Sequence, residues 1–249
     1  MIPIGAAARL ALFALLAFSC TGAVPAEERQ PPRELVVLVH GLAQSDLAMW
    51  PLAKRLERAG FAVHAVRYES TEKEPDALVA DFGAELARCC AAAPRLHFVT
   101  HSLGSILLRA QLAKQAPPQL GRVVMLAPPN HGSELADWLR QSELLRGVMG
   151  PTALELGTGA DSLPNRLPPA SFEVGVIAGT DSLNPIGSRL IPGEDDGTVS
   201  VASARLAGMR DFLRLPVSHS MILLSGEAAD QTLAFLRTGR FAGEDPKEK

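Results

Sequence analysis

Leu96-His97-Phe98-Val99-Thr100-His101-Ser102-Leu103-Gly104-Ser105 joins two kinds of structure at one residue. Leu96 to Thr100 has the short, apolar, β-rich character of a buried strand, and Leu103 to Gln115 reads as a helix. So tight a passage from strand to helix lifts the hydroxyl of Ser102 above the sheet, where it is free to react. Small residues two before and two after such a serine let the chain turn without a clash. Gly104 satisfies the second position; Thr100 occupies the first with a bulkier, β-branched side chain, a departure from the pattern Gly-x-Ser-x-Gly.

Working outward, β-rich runs alternate with helical patterns from Glu34 onward, as in a parallel sheet covered by helices. The expected strands are Leu35 to Val39, Phe61 to Tyr68, Leu96 to Thr100, Arg122 to Ala127, Glu173 to Ala178 and Phe212 to Val217. Continuous apolar runs such as Leu35-Val36-Val37-Leu38-Val39 suit strands covered on both faces. The expected helices are Met49 to Ala59, Pro75 to Ala92, Leu103 to Gln115, Ser200 to Leu206 and Met221 to Leu236. Leu78, Val79, Phe82 and Leu86 give the second of these an amphipathic stripe. The fold class is therefore α/β, with a mostly parallel central sheet of about six strands. Residues 131–170 interrupt the rhythm: apolar residues at Leu135, Leu139, Leu144, Leu145, Val148 and Met149 precede a loop rich in Gly and Pro. The segment reads either as a lid over the sheet or as a plain helical connection.

Val39-His40-Gly41-Leu42, directly after the first strand, completes a pattern that resembles the α/β-hydrolase superfamily of the lipase and esterase type, over roughly residues 33–237. The resemblance implies a backbone oxyanion hole formed by the N–H groups of Leu42 and Leu103. It also implies a triad in the chain order serine, acid, histidine. Of the six histidines, only His131 and His219 follow Ser102. His131 lies in Pro128-Pro129-Asn130-His131-Gly132-Ser133, similar to a lipase segment that shapes the site without supplying a base. His219 stands between the last strand and the last helix, the family's place for the base. Asp196, before Gly197 in Asp196-Gly197-Thr198-Val199, matches the family's acid position, with Asp195 in reserve and Asp181 third.

The activity this implies is cleavage of carboxylic esters through an acyl-enzyme on Ser102, with Asp196 and His219 as its partners. Thioesters and amides stay open as substrates, and so does a non-catalytic binding role in the cell envelope on the same fold. The resemblance brings no cofactor. The sequence has no His-Glu-x-x-His, no Cys-x-x-Cys pair and no Gly-x-x-x-x-Gly-Lys loop, so no zinc or nucleotide site is expected. Asp195 and Asp196 as neighbours are too little to assign calcium.

The 249 residues carry a formal net charge of -3, which gives no basic field for nucleic acid. A small-molecule or lipid ester is the expected partner. Met1 to Arg9, the apolar Leu10 to Phe18, and small and polar residues to Ala26 are laid out as a signal peptide over residues 1–26. Its apolar stretch covers about half of what a span of ~30 Å requires. Cleavage fits after Ala23 or Ala26, whereas Ala17-Phe18-Ser19-Cys20 resembles a lipobox that would leave a lipidated, membrane-associated Cys20. Either ending implies export, to a periplasmic, secreted or membrane-anchored product. Cys89 and Cys90 read as free thiols in a helix, and residues 243–249 as a frayed tail.

Overall fold

A strand such as Leu35–Val39 has no polar face to offer solvent, and the fold covers it on both sides. The structure is a computed structural model that describes residues 33–141, 147 and 149–243. The expected signal at residues 1–26 with Cys20, the residues Leu144, Leu145 and Val148, and the tail beyond Gly243 lie outside the described residues. Strands β1 (Leu35–Val39), β2 (Ala62–Val66), β3 (Leu96–His101), β4 (Leu120–Leu126), β5 (Val174–Gly179) and β6 (Asp211–Leu215) form one sheet in the order β2-β1-β3-β4-β5-β6. Every neighbouring pair is parallel. Each strand overlaps its expected range to within a few residues.

The order places a switch point between β1 and β3. From β1 the chain passes outward to β2, then returns to β3 on the other side of β1. Loops leaving the carboxyl ends of β1 and β3 therefore diverge and open a crevice, the usual ligand position in such sheets. Helix α1 (Trp50–Arg58), which follows a 3-10 turn at Asp46–Met49, covers one face together with the last helix, through Leu52, Leu56, Phe235 and Leu236. Helices α2 (Pro75–Cys89) and α3 (Leu103–Lys114) cover the other, through Phe82, Leu86, Leu108 and Leu112.

The insertion after β4 contains α4 (Glu134–Leu139), α5 (Pro151–Leu154) and α6 (Leu163–Arg166). Arg109 of α3 ties down its two ends. The guanidinium is buried and donates to the Asn130 backbone oxygen and Oδ1 at 3.0 and 3.2 Å, and to the carbonyls of Leu167 and Pro168 at 3.2 and 3.3 Å. Burial lowers its pKa to about 10, so it stays charged at neutral pH, with oxygen dipoles in place of a counter-ion.

Three expectations are corrected. Between β5 and β6 the chain forms α7 (Pro185–Leu190) as well as the expected short helix α8 (Val201–Ala204). The signal for α7 is Asn184-Pro185: the Asn184 side chain accepts the Gly187 N–H as an N-cap, and Pro185 presets the first helical residue. The expected helix Met221 to Leu236 is broken into a 3-10 turn at Met221–Leu223 and α9 (Gly226–Thr238), because Ser225 leaves the helical conformation to cap the Ala228 N–H. Cys89 and Cys90 are joined in a disulfide rather than free. The expectation assumed that both were helical, where adjacent side chains point apart. Helix α2 ends at Cys89, and Cys90 departs to φ -122°, ψ -2°.

Replacing Arg109 with methionine would leave buried carbonyls without donors, so Arg109→Met is expected to destabilise the protein by about 3 kcal/mol. Urea unfolding followed by circular dichroism reads this, as a lowered midpoint with unchanged slope.

Candidate active site

Strand β3 ends at His101 and α3 begins at Leu103, so Ser102 alone makes the turn. Its backbone adopts φ 51°, ψ -123°, a conformation that costs about 1–3 kcal/mol for a residue with a Cβ. Three contacts hold it there. The Ser102 N–H donates to the Leu126 carbonyl of β4 at 3.0 Å. The hydroxyls of Thr100 and Ser105 bond to each other at 2.8 Å in the interior, which gives the unexpected threonine a partner on the helix that the turn starts. Gly104 approaches β1 so closely that a Cβ would sit 2.5 Å from the Val39 carbonyl oxygen. At that position only glycine fits.

His219 comes from the loop after β6, and its Nε2 lies 3.0 Å from Ser102 Oγ. Its Nδ1 is 2.8 Å from Asp196 Oδ2. With the proton on Nδ1, the ring donates to Asp196 and accepts the Ser102 hydroxyl. The Asp196 carboxylate is 2% exposed, and its other oxygen accepts the N–H groups of Thr198 and Val199 at 3.0 and 2.8 Å. The backbone repeats the connection, with His219 N–H donating to the Asp196 carbonyl at 3.0 Å. Asp195 points elsewhere: its Oδ1 accepts the Gly197 N–H and the Ser188 hydroxyl, both at 2.7 Å. Asp181 is exposed, and His131 faces Asn165 at the surface, so neither joins the group.

Leu103 follows the serine in the chain, and Leu42 lines the same cavity as Ser102. Gly41 N–H donates to Gln44 Oε1 at 3.0 Å and Ala43 N–H to Ser70 Oγ at 2.9 Å, so the amides on either side of Leu42 are committed. The amides of Leu42 and Leu103 donate to no other described residue. Two such N–H groups suit a developing oxyanion. His40 braces the same loop. Its buried ring donates from Nδ1 to the Gly41 carbonyl at 2.8 Å and stacks on Tyr68 at 4.1 Å, while the Tyr68 hydroxyl donates to the His40 carbonyl at 2.5 Å. Desolvation raises the Tyr68 pKa and lowers that of His40, so both stay neutral.

His101, Gln44 and Tyr68 belong to the site although the sequence gives them no motif. His101 Nε2 donates to the His219 carbonyl at 2.9 Å, and its Nδ1 lies 3.1 Å from Gln44 Oε1. Burial, then the neighbouring His219, depress its pKa to about 3, so the ring is a neutral strut between the serine strand and the histidine loop. The one available signal was position, a histidine immediately before the serine.

A cavity of about 200 Å³ opens on Ser102 and His219, walled by Leu42, Leu135, Leu139, Met149, Leu156 and Val199. Four of these six come from the insertion. Away from the site, donor atoms of His64, Glu85 and Cys89 lie within 4.8 Å of one another, but the Cys89 sulfur is committed to Cys90 and His64 to Glu85.

A model of the alpha/beta hydrolase family matches residues 36–246. The chain belongs to that family. Among solved structures, the mature form of the Bacillus licheniformis lipase BlEst2 is 23% identical over 87% of this chain and 96% of its own, with a TM-score of 0.68. Phospholipase PlaB of Legionella pneumophila is 20% identical over 70% of this chain and 45% of its own, at a TM-score of 0.59. The metagenomic carboxyl esterase MGS0156 is 22% identical over 76% and 65%, at 0.53. No curated protein matches the sequence. At these identities the likenesses establish a shared fold.

Burial depresses the pKa of His40, His97 and His101 alike. Unfolded, each titrates near the ordinary value of 6.5, so the unfolded chain binds protons that the folded chain refuses. Their contribution to stability is complete above about 6.5 and is lost as pH falls below it, the loss for His101 extending down to about 3. The melting temperature is expected to drop between pH 7 and pH 4, and His101→Phe to flatten that slope. An equal slope in the variant would remove His101 from the account.

Proposed function

We propose that the protein hydrolyses carboxylic esters by two-step acyl transfer from Ser102, as a lipase or carboxylesterase, with thioesters reacting by the same chemistry. The observation that carries this is the continuous chain from Asp196 Oδ2 through His219 to Ser102 Oγ, with links of 2.8 and 3.0 Å. His219 takes the serine proton as Oγ attacks the carbonyl carbon, and Asp196 holds the ring in the accepting tautomer and stabilises the imidazolium. The N–H groups of Leu42 and Leu103 stabilise the oxyanion, each worth about 3 kcal/mol of barrier. The tetrahedral adduct collapses, His219 gives its proton to the departing alcohol, and an acyl-serine remains. Water then attacks the acyl-serine as His219 accepts its proton; the bond from the acyl carbon to Ser102 Oγ breaks, Oγ takes the proton back from His219, and the acid leaves. The apolar cavity at Ser102 favours an acyl chain over a charged group, and the lipase, phospholipase and esterase among the solved relatives are in keeping with that.

We further propose that the chain is exported by residues 1–26, with acylation of Cys20 as the alternative ending to simple cleavage. The Cys89–Cys90 disulfide, of a kind that persists in oxidising compartments, supports export. Mass spectrometry of the protein recovered from cells reads the first residue. A mature chain starting at Val24, at Glu27 or at an acylated Cys20 supports the reading, and an intact Met1 opposes it.

Ser102→Ala is expected to fold normally and to lose labelling by a fluorophosphonate probe and hydrolysis of p-nitrophenyl esters. Asp196→Asn should lower kcat by about 10⁴ through the wrong histidine tautomer, whereas Asp195→Asn should leave it within a few-fold. Equal labelling of Ser102→Ala would refute the nucleophile. A folded wild-type protein inactive on every chain length would favour the binding role instead.

A further inference from the structure

Among the described residues, the large apolar side chains left exposed are confined to one edge of the molecule. Leu47 and Trp50 follow β1, Trp138 follows β4, Leu183 and Ile186 follow β5, and Met221 and Leu224 follow β6. All seven thus lie beyond the carboxyl ends of strands, the edge that carries Ser102 and His219, and none in a loop at the amino ends. The exposures are large, reaching 71% at Leu47 and 76% at Leu183. Much of this rim is continuous. Helix α4, with Trp138, packs against α7, with Ile186. Leu183 and Met221 wall a shallow cavity beside His219 and Ser220, which also wall the apolar cavity at Ser102.

Its chemistry points to one occupant. The chain has two tryptophans, and both are in the rim. Tryptophan combines a large apolar body with one polar N–H and collects where hydrocarbon meets water. Exposed apolar surface of this extent marks a docking face, and a net charge of -3 offers no attraction to an anionic membrane. An acyl chain would also pass from a lipid layer into the cavity without crossing water if the mouth rested on that layer.

We propose that this rim docks the protein on zwitterionic phospholipid surfaces, with the mouth of the Ser102 cavity turned toward the lipid. The inference rests on the acyl-ester reading for its purpose, but the docking is measured without catalysis. Residues 1–32 contain no tryptophan, so the emission of Trp50 and Trp138 reports the rim and is blind to attachment through the N-terminal segment.

The test adds phosphatidylcholine vesicles, with and without brominated acyl chains, to the purified full chain. Docking predicts a blue shift of the tryptophan emission and quenching by the brominated lipid. A Leu47→Asp, Ile186→Asp double variant, altered at neither the triad nor the cavity, should weaken quenching about tenfold through loss of buried apolar area while hydrolysing a short water-soluble ester at the wild-type rate. Vesicle-bound protein with unquenched emission would overturn the proposal, as would equal quenching of the double variant or a lipid-free dimer that already shields both tryptophans. Quenching without hydrolysis of any ester would leave the docking standing and remove the esterase reading.

Discussion

The carbonyls of Val39 and His40 lie against Gly104, and the rest of the site is arranged around that close approach. A Cβ at residue 104 would fall 2.5 Å from one oxygen and 2.6 Å from the other, so the first turn of α3 can pack onto the end of β1 only through a hydrogen. That packing keeps the loop after β1 against the serine, where a Cβ on Gly41 would lie 3.2 Å from the Ser102 Cβ. The left-handed backbone of Ser102 is the accompanying cost, and the bond from its N–H to Leu126 helps β4 to hold it. The switch between β1 and β3 supplies the open crevice above.

The histidine reaches this elbow from the far end of the chain, so its placement depends on contacts between loops. Two backbone links do most of the positioning: His219 N–H to the Asp196 carbonyl, and His101 Nε2–H to the His219 carbonyl. Because burial keeps the His101 ring neutral, this strut places no charge beside His219. Asp196 is in turn anchored by two amides of its own turn, so the carboxylate cannot rotate away from Nδ1 without losing bonds to Thr198 and Val199. Arg109 plays the corresponding part for the cavity. It fastens both ends of the insertion whose side chains form most of the apolar wall.

Much of this was legible in the chain. Periodicity located the six strands, since parallel strands covered on both faces are written as unbroken apolar runs. Local turn chemistry marked Ser102 and Gly104, and the chain order implied by the family resemblance favoured His219 over His131. Other features had weak local signals or none. The Asn184-Pro185 cap of α7 is short enough to be read as a turn, and the helix expected from Met221 is divided by Ser225, a residue that serves equally in a helix or as a cap. The Cys89–Cys90 bond depends on where α2 ends, and helix ends are the least certain part of a pattern.

The choice between Asp195 and Asp196 shows where sequence stops. Both are acidic, adjacent and next to a Gly-x-Val turn, and the chain pattern ranked them without separating their directions. Residues next to each other in an extended turn point to opposite sides, so one carboxylate meets His219 and the other meets Ser188 and Gly197. The sequence by itself determined an α/β sheet, a serine on a strand-to-helix turn and a histidine after the last strand, because these follow from local periodicity and turn sterics. Only the tertiary structure decided which aspartate joins them, which neutral histidine braces them and how the exposed apolar residues gather on one edge. Those depend on contacts between segments that lie up to 118 residues apart in the chain.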